Sequence, residues 1–309
     1  MDNRTTTLPR SRLSPHAASP AQSRGGLIGT LVVLFKLRIV MLLVFAAVGG
    51  AMIGSAGSPA AGDMALLLVT GTLSAAGASA LNQVWERNRD GDMKRTSRRP
   101  LVTGQVEARW VLGAAVAMIA LAVGLALLAG NAALAFWLAA GAFIYVGIYT
   151  IWLKPRSVWN VVIGGAAGSA AVLSGGAAVG QWSDPGVIVL ALLLFTWSPT
   201  HFWSLALAYR ADYQRAGVPM LPVVAAPRRA IFWMLAHALA TGAFGLLLAG
   251  HSALGWVYLV PVALATLWLV RESVRLIGHY TGPQAMSVFK VSNIYLSIVL
   301  LAVCIGTLA

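Results

Sequence analysis

Nine separate stretches of this chain are so long and so apolar that a lipid bilayer has to be their solvent. The hydrocarbon core is about 30 Å thick and a helix rises about 1.5 Å per residue, so about 20 mostly apolar residues cross it. Such stretches lie near residues 28–54, 63–85, 110–129, 133–153, 158–181, 186–208, 229–250, 253–271 and 288–308. With no water in that core, each segment must satisfy its own backbone N–H and C=O groups, which a helix does. The expected fold is therefore all-α: a polytopic membrane protein, a nine-transmembrane-helix bundle. Glycine-rich pieces such as residues 164–180 would be poor helices in water, but in lipid small residues let helix backbones approach closely. Trp85, Trp110, Trp152, Trp159, Trp182 and Trp256 fall near span ends, as an interfacial aromatic belt requires. Composition agrees, with 59% of residues hydrophobic and 10% charged. Soluble domains average about 45–50% apolar and about 25% charged. This excludes an ordinary soluble enzyme and a disordered protein, and the single Cys304 excludes a disulfide-stapled module.

Charge adds orientation. There are 22 Lys and Arg against 9 Asp and Glu, a formal net charge of +13. The connections at 55–62, 130–132, 182–185 and 250–253 hold no Lys or Arg; every basic residue lies at the opposite end of the bundle or in the N-terminal segment. The positive-inside rule makes that end cytoplasmic, so the charge reports topology and not a nucleic-acid partner. A bacterial inner membrane is preferred to a mitochondrial one. Residues 1–26, rich in Ser, Pro and Arg, read as a disordered cytoplasmic tail, and residues 27–309 as the transmembrane domain. A short organellar transit peptide has a similar composition, so both readings of the tail stay open.

Polar residues concentrate at two places on the basic end. In LNQVWERNRDGDMKRTSRRPL (81–101), Asn82, Glu86 and Asp90 are spaced i, i+4, i+8 and so share one helix face. Their oxygens suit Mg²⁺, which takes few protein carboxylates and shares phosphate oxygens. Lys94, Arg95, Arg98 and Arg99 follow directly, and the arginine fork matches phosphate oxygens in pairs. Topology explains basic residues but does not require stacked acids. In WSPTHFWSLALAYRADYQRAGVPMLPV (197–223), His201 sits within an apolar helix; Arg210, Asp212 and Tyr213 follow at its end. His201 reads equally as a ligand contact or as a histidine satisfied inside the bundle. Lys154 and Arg156, after Tyr149 and Trp152, read by themselves as interfacial anchors. Three polar connections on one face suggest a cavity for a substrate with a charged head and a long apolar tail, such as a prenyl diphosphate. Metal and arginines would stabilise the diphosphate leaving group, and apolar walls would protect an allylic carbocation from water.

These motifs resemble the UbiA prenyltransferase superfamily and, within it, the branch of protoheme IX farnesyltransferases (haem O synthases). Asn82, Glu86 and Asp90, then Met93, Arg95-Thr96, Arg99-Pro100-Leu101 and Thr103-Gly104, are similar to the superfamily's first motif and its continuation. Tyr149-Thr150, Leu153-Lys154, Asn160 and Ile163-Gly164-Gly165 are similar to its central segment. Pro199, His201-Phe202-Trp203, Asp212-Tyr213 and the run from Gly217 to Val223 are the stretch most specific to the haem branch, and Phe289, Ser292 and Tyr295-Leu296 fit its last helix. The resemblance runs from about Lys36 to Leu296. It implies a UbiA-like bundle around a central cavity, one that transfers farnesyl from farnesyl diphosphate to a vinyl group of haem b with Mg²⁺, in a lipid bilayer and in the service of haem–copper oxidases, with haem A synthase or terminal-oxidase assembly as further partners. It also implies roles: Asn82, Glu86, Asp90 and Asp212 for Mg²⁺-diphosphate, Arg95, Arg99 and Lys154 for neutralising the diphosphate, and His201 for haem. Arg210 is added on proximity alone.

The chain departs from the pattern at several points. Glu86 stands for the usual aspartate, Asn88 and Ala211 stand where charged residues are frequent, and Leu37, Pro155 and Thr200 interrupt short signatures. Two rival readings remain at this stage. One is a related prenyltransferase with an aromatic or quinone acceptor; the other is a transporter, because polar residues at membrane depth also mark substrate pathways.

Overall fold

The computed structural model describes residues 26–278 and 280–309; of the N-terminal segment read as a tail, all but Gly26 lies outside the described residues. Among the described residues every regular element is a helix, and nine helical stretches are long and apolar enough to cross a membrane. In chain order the elements are α1 (Leu27–Leu34), α2 (Leu37–Gly54), α3 (Ala61–Asp92), α4 (Ala108–Leu128), α5 (Ala132–Phe143), α6 (Asn160–Gly164), α7 (Ala166–Ala178), α8 (Pro185–Ala208), α9 (Arg210–Arg215), α10 (Leu221–Val224), α11 (Pro227–Leu248), α12 (Gly255–Gly278) and α13 (Gly282–Gly306). Helix α5 continues as a π-helical stretch over Ile144–Leu153.

Helix α8 is the most buried of the nine and packs against α2, α7, α11 and α13. Helix α4, against α3 and α5, is the most exposed, and its Leu112, Val116, Leu121 and Leu127 face outward, as lipid-facing residues do. All six tryptophans expected in the belt are exposed, whereas Trp197 and Trp203 of α8 are buried. The α2–α7 crossing depends on glycine. A Cβ on Gly50 would lie 2.2 Å from the Val172 carbonyl oxygen, and one on Gly175 would lie 1.8 Å from that of Ala47. Small residues thus bring the backbones together where no larger residue fits.

Three local departures from a plain nine-helix reading shape the basic end. The span read at 28–54 is two helices, because Lys36 adopts a left-handed conformation (φ 50°) that breaks the run between α1 and α2. An ammonium inside an apolar stretch needs polar partners, and this turn delivers it to α3 and the π-helical stretch. Helix α3 does not stop near residue 85; its polar face carries it to Asp92, 32 residues in all. The π-helical stretch replaces the usual ladder by wider turns, as in the bond from Lys154 N–H to the Tyr149 carbonyl at 2.8 Å. Such stretches recur at functional sites because they re-aim side chains without ending the helix.

Candidate active site

The i, i+4, i+8 reading of α3 holds in three dimensions. Asn82, Glu86 and Asp90 are all buried, on the one face that meets the π-helical stretch. Each faces a cation or a hydroxyl from elsewhere in the chain. Asn82 Oδ1 accepts from Lys36 Nζ at 2.5 Å, and its Nδ2 donates to Thr150 Oγ1 at 2.9 Å. Thr150 passes its own proton to the Tyr145 carbonyl at 2.8 Å, a bond between residues five apart that the π-helical turn sets up. Glu86 forms an ion pair with Lys154, and Asp90 Oδ2 one with Arg99 Nη1 at 2.5 Å. Lys36 Nζ also reaches the Tyr145 hydroxyl at 3.3 Å and lies over that ring, while Lys154 Nζ lies over Tyr149, whose ring stacks on Tyr145 at 5.8 Å. The result is a buried ladder of alternating polar signs.

Lys154 shows the balance of forces in this ladder. Burial disfavours its charge, but the Glu86 carboxylate and the phenol oxygens of Tyr149 and Tyr213 prevail, holding its pKa above the usual lysine value. Two cations (Arg99, Lys154) match two carboxylates (Glu86, Asp90), while Lys36, whose pKa burial and the nearby Arg99 lower to about 7, stands against the neutral Asn82. Lys36 was not among the residues expected here; the signal that points to it is a single lysine inside an apolar run.

The second polar stretch splits into two parts. Asp212 is buried on α9 and paired with Arg215, three residues on. Its neighbour Tyr213 is close enough to influence Tyr149 and Lys154, and it joins a buried apolar cluster with Met93, Val161, Trp203, Val218 and Met220. That cluster ties the loop after α3, the start of α6 and the segment after α8 into one floor. His201 lies elsewhere, between α8 and α13, stacked on Trp197 (centroids 4.3 Å) and Phe289 (4.5 Å), with Nδ1 3.0 Å from Ser292 Oγ.

The other expected cations are not part of the ladder. Arg95 is exposed and has no ion-pair partner among the described residues. Arg210 donates to the Val223 carbonyl at 3.3 Å and so braces the loop that follows. Asn88 is exposed on the opposite side of α3, lining a 460 Å³ groove with Trp85, Arg87 and Arg109. A carboxylate at position 88 would therefore not join Glu86 and Asp90, and the asparagine removes nothing from their face. Among the described residues no three acid, histidine or cysteine side chains converge on one point. The all-oxygen set of α3 still fits Mg²⁺, which is held through one or two carboxylates and completes its shell with phosphate oxygens and water.

The UbiA prenyltransferase family profile matches residues 42–294. Protoheme IX farnesyltransferase 2 of Paramagnetospirillum magneticum is 42% identical over 280 residues, covering 90% of this chain and 96% of the relative. Among solved structures, a digeranylgeranylglyceryl phosphate synthase superposes with a TM-score of 0.76 at 18% identity, covering 91% of this chain and 98% of that one. A UbiA homologue from Archaeoglobus fulgidus bound to GPP and Mg²⁺ gives a TM-score of 0.60 at 16% identity, over 89% and 99%. The structural likenesses establish the fold, and the sequence likenesses the family. The chain is a polytopic membrane prenyltransferase and belongs to the UbiA prenyltransferase family.

Proposed function

We propose that this enzyme transfers farnesyl from farnesyl diphosphate to a vinyl group of haem b, making haem O, with the diphosphate on the α3 ladder and the haem beside His201. The observation that carries the reading is its 42% identity, over nearly the full length of both chains, to a relative named protoheme IX farnesyltransferase 2. The ladder supports it chemically. Lys154 and Arg99 neutralise Glu86 and Asp90. Both cations would pair with the oxygens of a bound diphosphate, and Glu86 and Asp90, with Asn82, would hold the metal. Mg²⁺ held there would supply positive charge to offset the negative charge that grows on the leaving group. The exchange replaces one set of buried ion pairs by another, so no unpaired charge is left in the apolar interior.

Lys36 extends this row of donors toward the membrane interior, and Arg95, exposed at the mouth, is suited to capture the incoming anion. Asp212, held by Arg215, would supply a further carboxylate from the segment after α8. Arg210 supports that segment through Val223. The apolar helices exclude water while the allylic carbon–oxygen bond breaks and the new carbon–carbon bond forms. We further propose that the basic end faces the cytoplasm of a bacterial cell, with the product passing to haem A synthase or to a terminal oxidase.

The test is a product-mass assay on membranes holding the full chain, given haem b and farnesyl diphosphate with and without Mg²⁺. Farnesylated haem, formed only with the metal, is the expected result. Conversion of an aromatic or quinone acceptor in place of haem, or transport without turnover, would overturn the assignment.

A further inference from the structure

Ser292 holds two rings of α8 at once. Its carbonyl accepts from Trp197 Nε1 at 2.7 Å, and its hydroxyl lies 3.0 Å from His201 Nδ1. Trp197 and His201 are four residues apart on one helix, which makes them neighbours on its surface. Their rings stack at an interplanar angle of 18°. Phe289, one turn before Ser292 on α13, covers the other side of the imidazole at 4.5 Å. The ring plane is thereby fixed by aromatic neighbours on both faces.

The hydrogen bonds also fix the proton. A serine hydroxyl has one hydrogen to give. Ser292 Oγ lies 2.8 Å from the Phe289 carbonyl oxygen and 3.0 Å from His201 Nδ1. A carbonyl oxygen can only accept, so the contact with Phe289 requires the hydroxyl proton. The network therefore assigns the hydroxyl proton to Phe289 and leaves Ser292 Oγ as acceptor from His201 Nδ1–H. In a neutral imidazole the lone pair then sits on Nε2. Among the described residues Nε2 has no hydrogen-bond partner, and it is not one of the closed-off buried polar atoms. It is an oriented lone pair among rings, not fully closed off from its surroundings.

A histidine whose Nδ1–H is tied to an oxygen and whose Nε2 is free is the arrangement that metal-binding histidines use. We infer that Ser292 is a positioning residue that presents His201 Nε2 as an axial ligand to the iron of the porphyrin acceptor. The inference rests on the haem reading above. An iron–nitrogen bond would anchor the porphyrin at its centre, leaving the vinyl edge to be brought to the prenyl carbon. The flat faces of Trp197 and Phe289 cannot supply that anchor, because stacking alone lets a planar ligand slide.

The experiment uses the full chain in detergent, with haem b and metal-free protoporphyrin IX as probes and the iron–histidine stretch in resonance Raman as the readout. Wild-type protein should show a histidine-ligated iron, and His201→Ala should lose it. Ser292→Ala should weaken haem b binding about tenfold or more, the scale for losing a histidine's outer partner. It should also shift or broaden the iron–histidine band. Ser292→Thr, which keeps the hydroxyl, should restore the band. Binding of metal-free protoporphyrin should be the same in the wild type and in Ser292→Ala, which separates positioning from misfolding. A wild type that farnesylates haem without a histidine-ligated iron overturns the inference and leaves the proposed function standing. A wild type that makes no farnesylated haem overturns the function itself. A Ser292→Ala band identical to the wild type overturns the role of Ser292.

Discussion

The α3 ladder and the His201 sandwich lie in one bundle but are built on opposite principles. In the ladder both acids are already matched, Glu86 by Lys154 and Asp90 by Arg99, and the amide of Asn82 accepts from Lys36 in the same row. Among the described residues His201 forms no ion pair; two stacked rings, the Phe202 ring at an edge and a serine surround it, with one nitrogen unused. The first is suited to exchanging ions and the second to receiving something flat and apolar. A diphosphate with a metal and a porphyrin make those two different demands.

Breaking the ladder at its centre should have the largest effect. Glu86→Ala strands the buried Lys154 ammonium. By analogy with other broken buried pairs this costs about 3 kcal/mol or more. Prenyl transfer should fall below detection, as product mass reports, and the unfolding temperature should drop. The comparison sharpens with Glu86→Ala/Lys154→Met, which removes both charges. Its unfolding temperature should recover and its activity should not; recovery of both would mean the pair is only structural. Asp90→Asn keeps the shape and a hydrogen bond to Arg99 but removes a charge. Transfer should then fall about a hundredfold, equivalent to about 2.7 kcal/mol of barrier. The variant should also need more Mg²⁺ to reach half-maximum. His201→Ala should act on the other half of the comparison. Turnover with haem should drop about tenfold or more while farnesyl diphosphate binding, measured by calorimetry, stays at the wild-type value. Weakened diphosphate binding there would merge the two sites into one. Arg210→Ala should have the smallest effect, because its guanidinium holds only a loop carbonyl. Thermal unfolding should register a loss within about 1 kcal/mol, and activity should change by a few-fold at most.

Much of this was legible from residue order because the governing physics is local. Hydrophobic length gives the spans, and four-residue spacing puts Asn82, Glu86 and Asp90 on one face whatever the rest of the chain does. The break at Lys36 was not legible, since LIGTLVVLF and LRIVMLLV are apolar on both sides of it and nothing marks a left-handed turn. The π-helical stretch is equally silent, because IYVGIYTIWL reads like any apolar helix. Ser292 matched a family pattern, but its partners are 91 and 95 residues away in sequence, and no local rule pairs them. Arg210 is placed at the site by nearness to Asp212 alone, and its bond to the Val223 carbonyl is one that no local rule announces.

The length of α3 has a consequence for the order of residues on its polar face. The helix has 32 residues. At about 1.5 Å per residue it extends about 48 Å, well past the hydrocarbon. Successive members of the i, i+4, i+8 set therefore stand about 6 Å apart along a dielectric gradient. The innermost position holds an amide, which carries no charge to desolvate. The middle one holds a glutamate with a lysine in contact, and the outermost an aspartate with a partly exposed arginine. On this face of α3 the carboxylates thus begin only one turn beyond the amide, toward the polar end, and the helix grades its own acids by depth.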